Sequence, residues 1–523
     1  MKKIIGVVTF LLLIVLAACD TVITSNARAV ISNITPKTQS ASFRVEVKDP
    51  SEELDNRNFK ITLSSGEHTV SIDVEIAKSQ IKLVEFTELN RETSYKISII
   101  GTLNGSSYEL YHSDETIKTL AIGDTEEDPI SITTVEEFKE MEAKKHYKLM
   151  NDLDFENASI QPLFSAGTPF NGSFDGNGFT IKNINIKESA DTYKPYLSIF
   201  GYASKSKITN LKLDNVHINN ADRQYTGHHY VGLLVSKVSN NDFEISNIEI
   251  TNSSVTISHN LNQTVTNRNL YVGLLGGSLQ GKISNIVIKD SKLNVTQNSV
   301  NGTYGGSDVS TAGTYVGGVA GLIEQDKGKG ISKLAVLDTE INLEVKQDKK
   351  SNGSGLYYAG SIFGAYRSDT NISEVVSNAD LSFNYNTYPE TEISNKDIIY
   401  IGGLIGHQSK ANASDFYFFG NVDVLTDLPV RQLNVGLLSG YANKSSIRLL
   451  ASGTLNVTTA NGPQNLIVVS VYSYSWSQLY ANVKVTNSTS IMVEGTPFDI
   501  SKFEVVENIN EFILSPFILN LIN

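Results

Sequence analysis

The chain has 523 residues, a formal net charge of −13 at pH 7 and only 19% charged residues. This length leaves room for two or more domains and a large buried core. An acidic balance without a basic cluster argues against nucleic acid as a partner. The single cysteine, Cys19, leaves no internal disulfide, so the fold must be stabilised by packing.

Residues 1–19 have the composition of an export signal. Two lysines precede an apolar run over residues 4–15 that is too short to span a membrane, and the run is followed by Leu-Ala-Ala-Cys19. That ending resembles the lipobox of bacterial lipoproteins. The resemblance implies cleavage before Cys19, lipidation of its sulfur by acyl chains such as palmitate, and a mature chain held on the cell surface by its lipid, with residues 20–27 as a tether. An ordinary signal peptide with a chance cysteine is the alternative.

Residues 28–120 alternate between apolar and polar positions in short runs separated by turn residues, which predicts a β-sandwich of antiparallel strands. The clearest runs are 42–47, 59–63, 70–74 and 95–99. The spacing of Leu89, Thr93 and Tyr95 resembles the tyrosine corner of fibronectin type III domains. Arg91 lies near the place of the usual proline, and no tryptophan marks the core strand. A spacer between the lipid and the rest of the chain is the expected role.

An acidic, proline-ended linker over 121–131 separates this domain from a short amphipathic segment. Thr133 opens the segment, glutamates follow in its first turn, and Val135, Phe138 and Met141 share one face. We expect residues 132–155 to supply a capping helix and a lead-in strand for the domain that follows, because the open end of a repeat domain exposes strand edges and apolar core.

A seven-residue phrase, Tyr-x-Gly followed by an aliphatic pair and small residues, recurs at intervals of 34 to 44 residues. A weaker first copy at Tyr196 has Ser198 at the third position, and the later copies keep glycine there. We expect that glycine to permit a backbone conformation or a close approach that a Cβ would forbid. The glycines of the phrase are Gly232, Gly273, Gly317, Gly360, Gly402 and Gly436.

Each phrase is followed by Ile-x-x-aliphatic-x-aliphatic and then by a second alternating pair, with turn residues between them. Three short strands in each repeat and no helical stretch predict an all-β fold: a right-handed parallel β-helix of about eight coils over residues 156–489. Residues 490–523 are more hydrophobic, and Phe503, Val505 and Phe512 are expected to cover the last coil.

The phrase, together with the Ile-x-Asn-Leu that follows it, resembles the GLUG-motif β-helix repeats of large bacterial surface proteins and adhesin-like lipoproteins. This resemblance covers roughly residues 150–490 and implies a surface protein of adhesin type. Its matching residues are core and turn positions. Lys333 and Glu374 replace the asparagine of the motif, which argues against an unbroken asparagine ladder.

A β-helical polysaccharide lyase or glycoside hydrolase is the alternative function, and it needs converging carboxylates or a calcium site. Asp152, Asp154 and Asp175 are the best candidates, although turn structure explains them as well. Asp290, Asp338 and Asp380 recur between strands and could stack. No His-Glu-x-x-His, Gly-x-Ser-x-Gly or phosphate-binding loop is present, so the sequence predicts no cofactor and no metal.

Coil lengths exceed what three short strands need, and the excess collects after the third strand, at 258–270, 296–314, 346–357 and 386–399. Such insertions lie on one face of a repeat domain, which is often its binding face. Amide and hydroxyl residues there, with Tyr304, Tyr385 and Tyr388 for stacking, suit a glycan or protein ligand. The sequence therefore favours non-catalytic adhesion. Solvated loops without a ligand, and a purely structural surface-layer role, are the other interpretations.

Overall fold

A computed structural model describes residues 25–188, 195–225, 227–261, 269–299, 312–325, 329–347, 355–387, 397–409, 412–427, 430–442, 446–459, 483–506 and 516–522. It divides into two compact units, Met1–Asp128 and Pro129–Asn523. Cys19 and Phe512 lie outside the described residues.

The first unit is a β-sandwich, which confirms the prediction. One sheet has the order β1–β2–β5 and the other β4–β3–β6–β7, and all described pairings within them are antiparallel. Side chains from both sheets share one buried cluster. The strands are β1 (Arg28–Pro36), β2 (Ala41–Lys48), β3 (Asn58–Ser65), β4 (His68–Glu75), β5 (Ile81–Phe86), β6 (Ser94–Leu103) and β7 (Ser106–Lys118).

The tyrosine corner that the sequence indicates is present. Tyr95 is fully buried, and its hydroxyl accepts a hydrogen bond from the backbone N–H of Asn90 at 2.8 Å. The same hydroxyl lies 2.7 Å from Nδ1 of His68. The corner therefore fixes the turn that enters β6 to the body of that strand.

The second unit is a parallel β-helix. Two sheets of seven parallel strands each are formed by the two halves of the phrase, here called strands a and b. Strands a are Tyr196–Leu197, His229–Val231, Leu270–Gly273, Ala312–Gly317, Gly355–Gly360, Ile398–Gly402 and Gln432–Gly436. Strands b are Phe200–Ala203, Val235–Val238, Gly276–Leu279, Ala320–Gln325, Phe363–Ser368, Ile405–Ser409 and Ser439–Ala442.

The remaining strands of the unit form one sheet of 22 strands. Strands c are Glu244–Thr251, Lys282–Lys289, Ile331–Leu337, Ile372–Ser377, Ala413–Phe418, Ser446–Ala451 and Val483–Thr486, and strands d are Ser254–Leu261, Lys292–Ser299, Glu340–Gln347, Asp380–Thr387, Asn421–Thr426, Thr454–Thr459 and Ser490–Val493. In one coil c and d form a single strand, Lys207–Tyr225, and the end strands are Ile130–Ile132, Tyr147–Leu149, Leu153–Ile160, Ser173–Asp175, Thr180–Ile186, Thr496–Pro497 and Glu504–Val506.

A coil thus carries four short strands rather than the three expected, because the phrase bends in its middle. The bend falls at the aliphatic pair, as at Leu274 and Leu275, whose side chains are buried in the core. A Cβ added to Gly317 would lie 2.2 Å from the carbonyl oxygen of Ala320, and one added to Gly402 would lie 2.1 Å from that of Ile405. Neither glycine has positive φ. Close approach of strands a and b is therefore the reason for the glycine.

The spacing of three in Ile-x-x-aliphatic also has a backbone cause. Ile245 and Ile248 both face the core, and the extra residue between them is accommodated because Asn247 adopts φ of 57°. The equivalent residues of the other coils share this left-handed conformation, including Lys333 at 60° and Glu374 at 57°. Left-handed backbone favours asparagine among side-chain-bearing residues. The asparagine of the motif is thus a conformational preference, and four coils have another residue there: Lys333, Glu374, Asp415 and Arg448.

The N-terminal cap is as expected. Helix α1 (Val135–Lys139) begins with a capping box in which the Thr134 side chain accepts from the backbone N–H of Glu137 and the Glu137 carboxylate accepts from that of Thr134. Phe138 is fully buried, with its ring edge-to-face to Phe155 at 5.8 Å and Phe174 at 5.7 Å between centroids. The helix thus closes the first coils with an aromatic plug.

The C-terminal segment only partly follows the prediction. Phe503 is buried in the main core, whereas Val505 is 39% exposed, so its expected covering role is wrong. Helix α2 (Pro516–Ile522) instead buries Ile518 against an apolar column on the outside of strands c. That column consists of Ala335, Val376, Tyr417 and Leu450.

Replacing Gly317 by alanine tests the close-approach explanation. The added methyl would overlap with the backbone carbonyl oxygen of Ala320. Gly317→Ala should therefore destabilise the β-helix by about 1–3 kcal/mol. Gly330→Ala is the matched control, since nothing lies within 4 Å of a Cβ at that position. Denaturant unfolding of the two variants gives the comparison. Equal midpoints would contradict the explanation.

Candidate functional site

Of the three tyrosines predicted to stack on a ligand, Tyr304 and Tyr388 lie outside the described residues. Tyr385 is fully buried, and its hydroxyl donates to Oδ2 of Asp397 at 2.5 Å. Its exposure was therefore wrongly predicted. Strand d continues to Thr387, and Tyr385 extends the inward face of Leu381 and Phe383 on this strand.

The other predicted loops also begin later than the sequence suggests, because strands d run into them. The segments between strands d and a that were expected at 258–270, 296–314 and 346–357 are preceded by strand up to Leu261, Ser299 and Gln347. The polar composition of these residues led to the prediction of loops. In the structure they belong to strands d, whose polar residues face outward while alternate residues face the core.

The outward side chains of strands d form a continuous surface, here called the polar face. Neighbouring coils pair residue for residue, so equivalent side chains repeat at about one strand spacing, roughly 4.8 Å. The polar face consists of Thr256, Asn294, Asn342, Ser382, Asp423 and Asn456 in one column and Ser258, Thr296, Glu344 and Asn384 in the next.

Hydrogen bonds along the columns orient the amides of the polar face. Nδ2 of Asn342 donates to Oδ1 of Asn294 at 2.9 Å, and Nδ2 of Asn456 donates to Asp423 at 2.7 Å. Each amide that donates one N–H along the column keeps a second N–H and a further lone pair on its oxygen. The face therefore presents donors and acceptors in fixed positions to a ligand.

A second amide row lies on strands c. Nδ2 of Asn285 donates to Asn247 at 2.8 Å, Asn247 donates to Asn210 at 2.8 Å, and Asn210 donates to Asp175 at 2.9 Å. The row ends at Lys333, as the sequence implies. It lines a groove of about 460 Å³ that is bounded on one side by Leu521 of α2.

The tyrosines of the phrase stack on one another outside the main core. Successive ring centroids from Tyr196 to Tyr400 are 5.6, 4.9, 4.8, 4.6 and 5.2 Å apart. This tyrosine stack comprises Tyr196, Tyr230, Tyr271, Tyr315, Tyr358 and Tyr400. Its middle rings pack with Leu322 and Ala365 of strands b and are buried, so the stack strengthens the coil-to-coil contact and leaves little ring surface for a ligand.

Two cations hold the hydroxyl ends of the stack. Nζ of Lys237 donates to Tyr230 at 3.0 Å, and Nη2 of Arg367 donates to Tyr315 at 3.0 Å. Burial raises the pKa of Tyr230 to about 12 and raises that of Tyr315. The phenols therefore remain neutral at physiological pH and act as acceptors for these cations.

The acidic candidates for catalysis support turns and ladders. Asp152 accepts from the backbone N–H of Thr180 at 2.8 Å, and Asp175 accepts from that of Asn177 at 2.8 Å. Asp154 accepts from Nδ2 of Asn183 at 2.8 Å, and this bond is the main reason that its pKa is lowered. Hydrogen bonds within a turn or to the neighbouring strand thus account for all three carboxylates.

The three recurring aspartates do not form one stack. Asp290 and Asp338 occupy left-handed turn positions, whereas Asp380 begins a strand d in register with Glu340. Asp338 accepts from Nδ2 of Asn378 at 2.9 Å and Asp380 from that of Asn421 at 2.7 Å. Within the residues that the structure describes, no three His, Cys, Asp or Glu side chains are grouped to hold a metal ion.

Sequence reasoning missed a polar cluster inside the first coils. Nε2 of His229 lies 3.2 Å from Oε1 of Glu188, and both side chains are almost fully buried. Nδ1 of His259 lies 2.8 Å from Oε1 of Gln297, to which the Thr314 hydroxyl also donates at 3.2 Å. The available signal was the inward phase of the residues in strands, since His229, His259, Gln297 and Thr314 occupy core-facing positions of their strands.

Comparisons with protein-family models, with curated proteins and with solved structures returned no match for this chain. Among the described residues, no helix has both the length and the apolar character needed to cross a membrane.

The free energy of unfolding should depend on pH through the protonation of His407. This ring stacks on Tyr441 at 4.7 Å, and burial, with the charge of Arg367, lowers its pKa to about 4. The unfolded chain protonates this histidine near pH 6.5. Stability is therefore unaffected above that pH and falls as the pH drops from about 6.5 towards 4, by roughly 3 kcal/mol in all.

His407→Phe keeps an aromatic ring in the stack but removes the titration. The difference in unfolding free energy between this variant and the wild type should widen in favour of the variant between pH 6.5 and 4. Denaturant midpoints measured at half-unit pH intervals test this. A difference that stays constant with pH would show that His407 does not titrate as described.

Proposed function

We propose that this chain is a lipid-anchored cell-surface protein that binds a glycan or protein ligand without catalysis. Binding uses the polar face and the segments that follow strands d. The sandwich acts as a spacer of fibronectin type III kind between the anchor and the β-helix, and the repeats belong to the GLUG type.

The polar face is the observation that supports binding most strongly. Its amides and hydroxyls are held by hydrogen bonds along the columns, such as that from Asn342 to Asn294. Binding a ligand therefore does not require the entropic cost of ordering these side chains. Regular donors and acceptors suit a polymer with regularly spaced hydroxyls or amides. The carboxylates considered for catalysis are engaged in turns and ladders, which favours binding over the alternative of a polysaccharide lyase or glycoside hydrolase.

The binding proposal is tested by exposing purified residues 25–523 to a panel of polysaccharides and matrix proteins. Retention of protein and release of soluble sugar are followed together. Replacing residues 300–311 by a short turn leaves the described strands Lys292–Ser299 and Ala312–Gly317 intact. That variant should lose retention while keeping its β-rich circular dichroism. Released reducing or unsaturated ends would instead support the enzyme and direct attention to Asp152, Asp154 and Asp175.

A matched pair of substitutions separates the polar face from the other amide row. Asn342→Asp and Asn285→Asp each replace one ladder amide by an isosteric carboxylate. Loss of one hydrogen bond of about 1 kcal/mol should raise the Kd of the Asn342 variant roughly fivefold, whereas the Asn285 variant should bind as the wild type does. Weaker binding by Asn285→Asp together with unchanged binding by Asn342→Asp would instead indicate that the ligand binds in the groove beside α2.

The anchor is tested through Cys19. In cells, the wild-type chain should carry acyl chains on this residue and partition into the detergent phase of Triton X-114. Cys19→Ser should move the chain to the aqueous phase, and mass spectrometry of the N-terminal peptide should show no acyl mass. A wild-type chain that is found without lipid would refute the anchor.

A further inference from the structure

Exposed apolar side chains in the described residues concentrate on the sheet β1–β2–β5. Of the eight large hydrophobic side chains that are exposed in the described residues, four lie on β1 and β5. They are Val30 (37% exposed), Ile34 (47%), Ile81 (58%) and Leu83 (62%). Scattered apolar residues on a surface need no explanation, but a concentration on one small sheet marks an interaction site.

Strand register brings three of these residues together. Glu46 of β2 pairs with Val30 on one side and with Ile81 on the other. Leu83 lies two residues further along β5, opposite Arg44. Val30 and Ile81 therefore flank Glu46, and Leu83 follows Ile81 on the same face of β5. Val30, Ile81 and Leu83, at one end of the sheet, are here called the apolar corner. Ile34 lies near the other end of β1.

Basic residues surround the apolar corner. Arg28 pairs with Lys48 across β1 and β2, Arg44 lies opposite Leu83, and Lys78 is exposed in the turn before β5. The acidic residues of the same surface are Glu46, which lies 3.7 Å from Lys48, and Glu85; Lys78 pairs with Glu52. Positive charge around an apolar patch is the pattern of a surface that lies on anionic lipid headgroups.

The position of Cys19 supports the same partner. Ser25 is six positions after Cys19, so the chain between them reaches at most about 20 Å. Because β1, β2 and β5 are antiparallel, the start of β1, the end of β2 and the start of β5 lie at the same end of the sheet. A lipid on Cys19 would therefore keep the apolar corner close to the bilayer.

We propose that the apolar corner is a second membrane contact, in which Val30, Ile81 and Leu83 enter the headgroup region and the surrounding basic residues bind anionic phosphates. This inference rests on the proposed lipid anchor. It assigns the sandwich a further role: the domain lies against the membrane by its β1–β2–β5 face and does not swing freely on its tether.

The single cysteine allows a test that is independent of lipidation in the cell. The chain from residue 19 onwards is coupled through Cys19 to a maleimide phospholipid in vesicles of phosphatidylcholine and phosphatidylglycerol. Trp476→Phe removes the only tryptophan, and Leu83→Trp then reports from the apolar corner. Lys60→Trp, on an exposed position of β3 in the opposite sheet, is the control. Circular dichroism verifies that both variants keep their β content.

Brominated phosphatidylcholine should quench the Leu83→Trp emission several-fold more than the Lys60→Trp emission. Adding Arg44→Glu and Lys48→Glu should reduce that difference. Equal quenching of the two reporters on coupled vesicles would overturn the proposal, even if Cys19 proves to be acylated in cells. A Leu83→Trp emission that shifts with protein concentration in the absence of vesicles would assign the corner to self-association and would overturn it too.

Discussion

Residue-for-residue pairing between successive coils is the constraint on which the β-helix depends. In the parallel sheets each position of a coil meets the equivalent position of the next, from Tyr230 against Tyr271 to Asn294 against Asn342. A side chain must therefore be compatible with its own copy at about 4.8 Å. Flat rings, amides and small residues meet this requirement, whereas repeated like charges do not. The repeated phrase is the sequence consequence of that requirement.

The same constraint explains why departures from the repeat are tolerated. Lys333 and Glu374 keep the left-handed backbone of the motif asparagine, so the coil path is preserved although the amide row ends. Further along, Asp415 and Arg448 occupy this position and form a bidentate ion pair, which replaces amide stacking by charge complementarity. Backbone geometry is thus the stricter requirement and side-chain identity the looser one.

Alternation and turn residues in the sequence were enough to predict the sandwich, and the recurring phrase predicted the coiled parallel architecture. The capping pattern at Thr133 predicted the helix, and the resemblance around Tyr95 indicated the tyrosine corner. These patterns were insufficient for the bend inside the phrase, because a run such as Val272 to Leu275 reads as one strand until close approach of strands a and b is considered. Tyr385 was misplaced because a polar outward face makes the end of a strand look like a loop. The column beneath α2 was visible only as apolar residues out of phase, such as Val376 beside Val375.

The two units present different surfaces. The repeats build a rigid, hydrogen-bonded polar face whose extent grows with each coil, and variable segments can follow strands d without disturbing the core. The sandwich lies in the sequence between Cys19 and the repeats, and it carries its own exposed apolar corner. Both surfaces arise from outward positions of strands, where packing does not dictate the residue. The inward positions of the same strands are dominated by aliphatic and aromatic residues.

Distances along the polar face would test the in-register stacking most directly. In a Cys19→Ser background, spin labels introduced by pairing Thr256→Cys with Asp423→Cys, and Thr256→Cys with Asn456→Cys, span four and five coil steps. Pulsed electron paramagnetic resonance should give narrow distributions near roughly 19 and 24 Å, one strand spacing apart. Broad distributions, or two distances that do not differ by one strand spacing, would contradict the stacked polar face on which the proposed function depends.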